Sequence, residues 1–197
     1  MVARNTARQE PRPPNGVQVR SPCANRGLDN PRVVRIAAGV YFTCSRASRG
    51  RCTAFRYRVM AYDKAKWHSE GDFPKDAPSE NGGTHIGIFL AWAIFHDLVS
   101  EQLLVEAGED LAAVRERRIT GRTFLFRHLD GVLSEEDLNE EGNAFAKHYY
   151  KKYMGEFDRI VRKQFPTAYH IGDLWKNYDA IAKIIEKRYA EWRAAAG

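Results

Sequence analysis

The chain has 197 residues, a formal charge of +6 and a pI near 9.3, with 44 % hydrophobic and 28 % charged residues, a globular balance. The charge is unevenly placed. Residues 1–59 hold twelve Arg, no Lys and two acids (Glu10, Asp29), a net +10, whereas residues 60–197 hold 19 basic and 23 acidic side chains, a net −4. A polyanion-binding surface is therefore expected only of the N-terminal part, not of the mildly acidic remainder.

All three cysteines (Cys23, Cys44, Cys52) precede Met60, at spacings of 21 and 8 and without a Cys-x-x-Cys pair. This argues against a disulfide framework and a four-ligand zinc site, and excludes thiol chemistry after Met60. No apolar run reaches the ~20 residues of a membrane span and no secretory signal is visible, so a cytoplasmic protein with no membrane contact is expected.

In chain order, residues 1–59 combine five of the eight prolines with scattered Arg and no helical periodicity, which predicts a disordered basic extension. Val33–Phe42 has strand composition but no evident partner. Three origins fit the extension: a transit peptide, a nucleic-acid-binding arm, or GC-rich sequence read in frame upstream of a start at Met60.

From Met60 onward the pattern is helical. Tyr62–His68 reads as a short helical turn or an entry segment, followed by a Pro- and Gly-rich loop from Gly71 to Gly83. Thr84–Val99, apolar on nearly every side, predicts a central helix capped by Thr84. Ser100 caps a helix over 101–118, with Gly108 a point of division, and a shorter helix follows over 121–129. Ser134-x-x-Asp137 has capping-box spacing. A long helix from Glu140 carries Phe145, Tyr149, Tyr153, Phe157 and Ile160 on one face, and Pro166 terminates it. The last helix, from Asp173, repeats the pattern through Leu174, Tyr178, Ile181, Ile185, Tyr189 and Trp192. No period-2 alternation stands out. The expected fold is all-α: a single compact domain of five to six helices over residues 60–197.

Chemistry-bearing motifs are sparse. There is no His-Glu-x-x-His, no di-iron Glu-x-x-His pair, no nucleophile elbow and no P-loop lysine. Asp137-x-Asn139-x-Glu141-Gly142 imitates half a calcium loop, but His148 stands where the bidentate Glu is needed. His85 and His96 lie three turns apart on one helix, ~16 Å along the axis, too far for one metal. The candidate functional cluster is His68, Glu70, Asp72 and His85, assembled if the 71–83 loop folds over the start of the central helix. A metal held by His68, Asp72 and His85 is its sharpest form, and hydrogen-bonding histidines that orient the loop are its blander one. Trp175 and Tyr150 are amphipathic aromatics suited to a protein interface.

The motifs Tyr62-Asp63-x-Ala65-x-x-His68, Gly71-Asp72-Phe73-Pro74, His85-x-Gly87-x-Phe89-Leu90-x-Trp92, Leu98-Val99-Ser100 and Asn139-Glu140-Glu141-Gly142-Asn143-x-Phe145 carry a resemblance. Residues 61–165 resemble a family of small bacterial domains of unknown function. The resemblance implies a bacterial, cytoplasmic, helical domain and brings no catalytic residue with it.

Without a recognisable catalytic constellation, the first expectation is a protein-binding domain rather than an enzyme. An immunity- or antitoxin-type partner fits, its acidic charge speeding association with a basic protein. A metal-dependent enzyme built on the His68/His85 region is the alternative, and nucleic-acid binding through the Arg-rich arm the third. No cofactor is implied by the motifs.

Overall fold

A computed structural model describes residues 60–196 and, before them, the backbone of three strands. These are β1 (Arg32–Ala37), β2 (Val40–Cys44) and β3 (Thr53–Arg56), an antiparallel sheet in the order β1-β2-β3. The apolar stretch 33–42 is thus not one partnerless strand, because Val34 pairs with Phe42 and Arg35 with Tyr41 across a hairpin. The expectation of disorder for the rest of 1–59 lies outside the described residues. The chain divides into two units, Met1–Arg56 and Tyr57–Gly197.

The second unit is mostly helical. It contains β4 (Ala61–Lys64), α1 (Ala65–Ser69), α2 (Thr84–Phe95), α3 (Glu101–Arg115), α4 (Gly121–His128), β5 (Val132–Ser134), α5 (Glu140–Val161) and α6 (Trp175–Ala196). The expected helical entry at Tyr62 is a strand instead, with the helix starting only at Ala65. β4 pairs antiparallel with β5, and the register advances two residues on β4 for one on β5 between Ala61 and Asp63. Such a bulge re-aims the side chains after it. Strands of four and three residues are too short to print an alternation, so only the pairing defines them.

α2 is buried from Thr84 to Ile94, as a helix apolar all round must be. It contacts α3, α4, α5 and α6. Its N-cap is Gly83 rather than Thr84. A 3-10 turn over Ser79–Gly83 leads directly into the helix, and the Thr84 amide donates to the Asn81 carbonyl. The Thr84 hydroxyl accepts instead from Arg122. The other caps follow local chemistry: Ser100 Oγ accepts from the Leu103 amide, Thr120 Oγ1 from the Thr123 amide and Asn139 Oδ1 from the Gly142 amide. Asn139 thereby has a structural role in the segment that imitates a calcium loop. Ser134 and Asp137 close the turn before α5 rather than capping it, both the amide and the hydroxyl of Ser134 donating to Asp137 Oδ2 at 2.7 Å. α3 is bent at Ala107, one residue before the glycine.

α5 and α6 cover the core with aromatic rings. Trp92, Phe145, Tyr189 and Trp192 contact one another in tilted, edge-on and stacked pairs. No helix among the described residues is long and apolar enough to cross a membrane.

α2 and α4 approach so closely that backbone meets backbone. A Cβ on Gly121 would stand 2.0 Å from the Gly87 carbonyl oxygen, and one on Gly87 would stand 2.4 Å from the Arg122 amide nitrogen. Neither obstacle is a side chain that can turn away. Gly121→Ala is expected to destabilise the domain by about 3 kcal/mol or more through helix displacement, read as a lowered urea midpoint. A midpoint equal to wild type would show that the contact is slack.

Candidate metal centre

The site begins at the β4 bulge, which turns Asp63 into the interior. Its carboxylate accepts four hydrogen bonds. Oδ1 takes the Lys64 amide and His68 Nε2, both at 2.7 Å, and Oδ2 takes His85 Nε2 at 3.0 Å and the Tyr150 hydroxyl at 3.1 Å. An ionised carboxylate can only accept, so each imidazole presents a protonated Nε2 to it. The two rings meet edge to face with centroids 4.4 Å apart. Asp63, His68 and His85 come from β4, α1 and α2, and their ligand atoms lie within 4.8 Å of one another.

The neighbouring backbone makes this convergence possible. Gly82 lies against α1, where a Cβ would stand 2.8 Å from the Ala65 carbonyl oxygen and 3.4 Å from His68 Cβ. The 3-10 turn can therefore rest on α1 and bring His85, in the first turn of α2, beside His68. From α5, the Tyr153 hydroxyl donates to the His85 carbonyl at 2.8 Å and the Phe157 ring lies 5.7 Å from the His85 ring. On the outer side the Tyr169 hydroxyl is 3.3 Å from His68 Nδ1. Side-chain exposure falls from 18 % at His68 to 6 % at Asp63 and 2 % at His85, so the centre is reached from the His68 side.

Electrostatics follow from burial. Desolvation pushes the Asp63 carboxyl up, but the hydrogen bonds from His68 and His85 outweigh it, leaving the carboxyl well below the usual range. Burial lowers His85, against the pull of Asp63, so it is held neutral. Tyr150 and Tyr153 are raised by burial first, with the Asp63 charge adding to it, and stay protonated donors.

The structure brings His68 and His85 together and leaves Glu70 and Asp72 at the surface. Glu70 faces Lys66 at 3.5 Å, and Asp72 is exposed in the loop. The carboxylate between the histidines is Asp63, which spacing within the 68–85 segment could not reveal. Its one signal was its place in Tyr62-Asp63-x-Ala65-x-x-His68, where it is the only acid. Tyr150 corrects the interface expectation: it is buried and bound to Asp63, because the hydroxyl that suits a wet surface also suits a buried acceptor. Trp175 is half-buried, its indole N–H donating to the Arg117 carbonyl and its ring beneath the Arg117 guanidinium. The other histidines lie elsewhere: His96 against Glu186, His128 against Asp110, His170 against Asp76, and His148 exposed on α5.

A family described as a domain of unknown function, DUF7832, matches residues 61–171, and the chain belongs to it. No curated protein and no solved structure matches the chain. Asp63, His68, His85, Tyr150, Tyr153 and Tyr169 all fall inside the matched region, whereas α6 falls outside it.

His85, whose ordinary value is 6.5, and Asp63, whose ordinary value is 3.8, are both lowered on folding. The unfolded chain then takes up protons first as pH falls, so their contribution to stability is present above these values and is lost below them. The metal-free protein is expected to lose urea stability as pH falls below about 6.5 and again as it falls below about 3.8, and His85→Gln to reduce the slope in the upper range. An unchanged slope in the variant would show that folding leaves the proton affinity of His85 unshifted.

Proposed function

We propose that this domain is a metal-dependent protein whose centre is Asp63, His68 and His85. The observation carrying the reading is the convergence of two imidazole nitrogens and a carboxylate, from three successive elements, on one largely buried point. Two histidines and one carboxylate form a facial or tetrahedral ligand set that leaves positions open for water or substrate, the mark of catalytic rather than structural sites. The outer contacts suit the same role. Tyr150 orients the carboxylate, and Tyr169 is a hydrogen-bond partner for His68 Nδ1.

The donor spacing is close to what a cation needs. Bonds of about 2.1 Å at a tetrahedral angle separate ligand atoms by about 3.4 Å. The histidine-to-carboxylate distances of 2.7 and 3.0 Å require an opening of a few tenths of an ångström once the two Nε2 protons leave. First-row divalent ions, zinc or iron(II) above all, match imidazole and carboxylate together, whereas calcium and magnesium prefer oxygen-only sets. Bound there, the ion supplies Lewis acidity or an activated water.

The partner-binding reading keeps only part of its support. Tyr150 is committed to Asp63, and Trp175 offers a partly covered edge, so a protein partner would have to be held mainly through other residues.

Full-length protein stripped of metal is expected to bind one equivalent of zinc or cobalt(II) in equilibrium dialysis. His68→Gln, at the accessible end of the set, should weaken binding by about a hundredfold while circular dichroism stays unchanged, with Glu70→Gln and Asp72→Asn as neutral controls. Folded wild type that binds none of zinc, cobalt(II), iron(II) or manganese(II) stoichiometrically would overturn the proposal.

A further inference from the structure

The net −4 of residues 60–197 is an average over two unlike halves. Residues 60–142 hold eight basic and seventeen acidic side chains, whereas residues 143–197 hold eleven basic and six acidic ones. Six of those basic residues and only two of the acids fall between Lys147 and Lys163, in α5 and the turn that follows it.

The helical period sorts these cations onto one face. At about 100° per residue, Lys151, Lys152, Arg159, Arg162 and Lys163 fall within about 120° of the circumference and along about 18 Å of axis. That face is turned away from the core. All five cations are exposed, as is Gly155 among them, while Tyr149, Tyr150, Tyr153, Phe157 and Val161 fill the buried side. The two acids of the stretch are engaged. Glu156 accepts from Tyr149 at 2.8 Å and from Arg188 of α6, and Asp158 pairs with Arg162 at 2.7 Å. Among the described residues Lys151, Lys152, Arg159 and Lys163 form no ion pair.

Three kinds of partner neutralise such a row of charge. A lipid surface takes up a helix through its apolar face, and that of α5 is committed to the core. A protein interface is anchored by aromatic or aliphatic side chains at its centre, and the uncharged residue among these cations is Gly155. A phosphodiester chain needs only charge at intervals, and a flexible single strand can lay successive phosphates along a straight helix. We propose that the outer face of α5 binds the backbone of a single-stranded nucleic acid through Lys151, Lys152, Arg159 and Lys163. Binding there is independent of sequence, since every Phe and Tyr ring of α5 is buried and none can stack on a base. The surface does not depend on the metal-dependent reading of Asp63, His68 and His85.

The Arg-rich residues 1–59 add their own attraction for a polyanion, so the test reads the part due to α5 by difference in the full-length chain. A fluorescent twenty-nucleotide oligo(dT) is titrated by anisotropy between 0.05 and 0.3 M salt. The triple variant Lys151→Ala, Lys152→Ala, Arg159→Ala should bind about a hundredfold more weakly than wild type at 0.1 M salt. Its plot of log affinity against log salt should be shallower by about 2, the share of three phosphate contacts. Lys151→Arg with Lys152→Arg, which keeps the charge, should bind as wild type does. Lys66→Ala, Lys75→Ala, Arg118→Ala removes three exposed cations elsewhere and should leave the slope unchanged.

Equal affinity and slope in wild type and the α5 triple variant would overturn the proposal, as would wild type that does not bind the strand at 0.1 M salt. An equal loss in the variant with substitutions elsewhere would reduce the effect to net charge and overturn it too. Vesicles of phosphatidylcholine with one-third phosphatidylserine serve as the competing anionic surface. A triple variant that loses vesicle binding while keeping oligo(dT) binding would assign the face to a membrane instead.

Discussion

A carboxylate carried into the interior at Asp63 sets the terms for everything around it. Burying an ionised group costs several kcal/mol unless its lone pairs are filled. Asp63 meets that demand with four donors drawn from its own strand, from α1, from α2 and from α5. The orientation of α1 across the start of α2, and the closeness of α5 behind them, are geometric requirements of those bonds. Gly82 is part of the same constraint, since the donors converge only if the turn before α2 can lie on α1.

One network thus has two consequences. It pins the short β4–α1 segment to the helical core, and it collects two imidazoles and a carboxylate at a single point. A metal would replace the two Nε2 protons while keeping the ligand directions that the hydrogen bonds already impose. Tyr150 and Tyr153 hold the carboxylate and the His85 backbone from α5 in either case, so the site is supported by one of the two longest helices of the domain. Asp63, His68 and His85 are therefore held by elements that pack on the helical core.

The legibility of the fold varied with the range of the interaction that defined each element. α3, α4 and α5 begin at Ser100, Thr120 and Asn139, whose side chains close a hydrogen bond three residues on, and such caps are written in local sequence. The buried α2 is equally plain in a run with no polar face. β4 and β5 left no trace, because each is defined by the other across some seventy residues and a bulge disrupts the alternation. Thr84 looked like a cap because nothing local announces that the preceding turn supplies the acceptor and that Arg122 claims the hydroxyl.

For the site, the division is sharper. Residue types and local patterns alone determined the helical class, the separation of a basic extension from an acidic domain, the absence of thiol chemistry after Met60, and His68 with His85 as the residues to watch. Which carboxylate joins them, that Tyr150 faces inward, and that Tyr169 meets His68 were decided only by tertiary structure. The reason is distance along the chain. Asp63 meets its partners across 5, 22 and 87 residues, and Tyr169 meets His68 across 101. Periodicity and capping report forces acting within a turn or two of helix, whereas a buried charge takes its donors from wherever packing brings them.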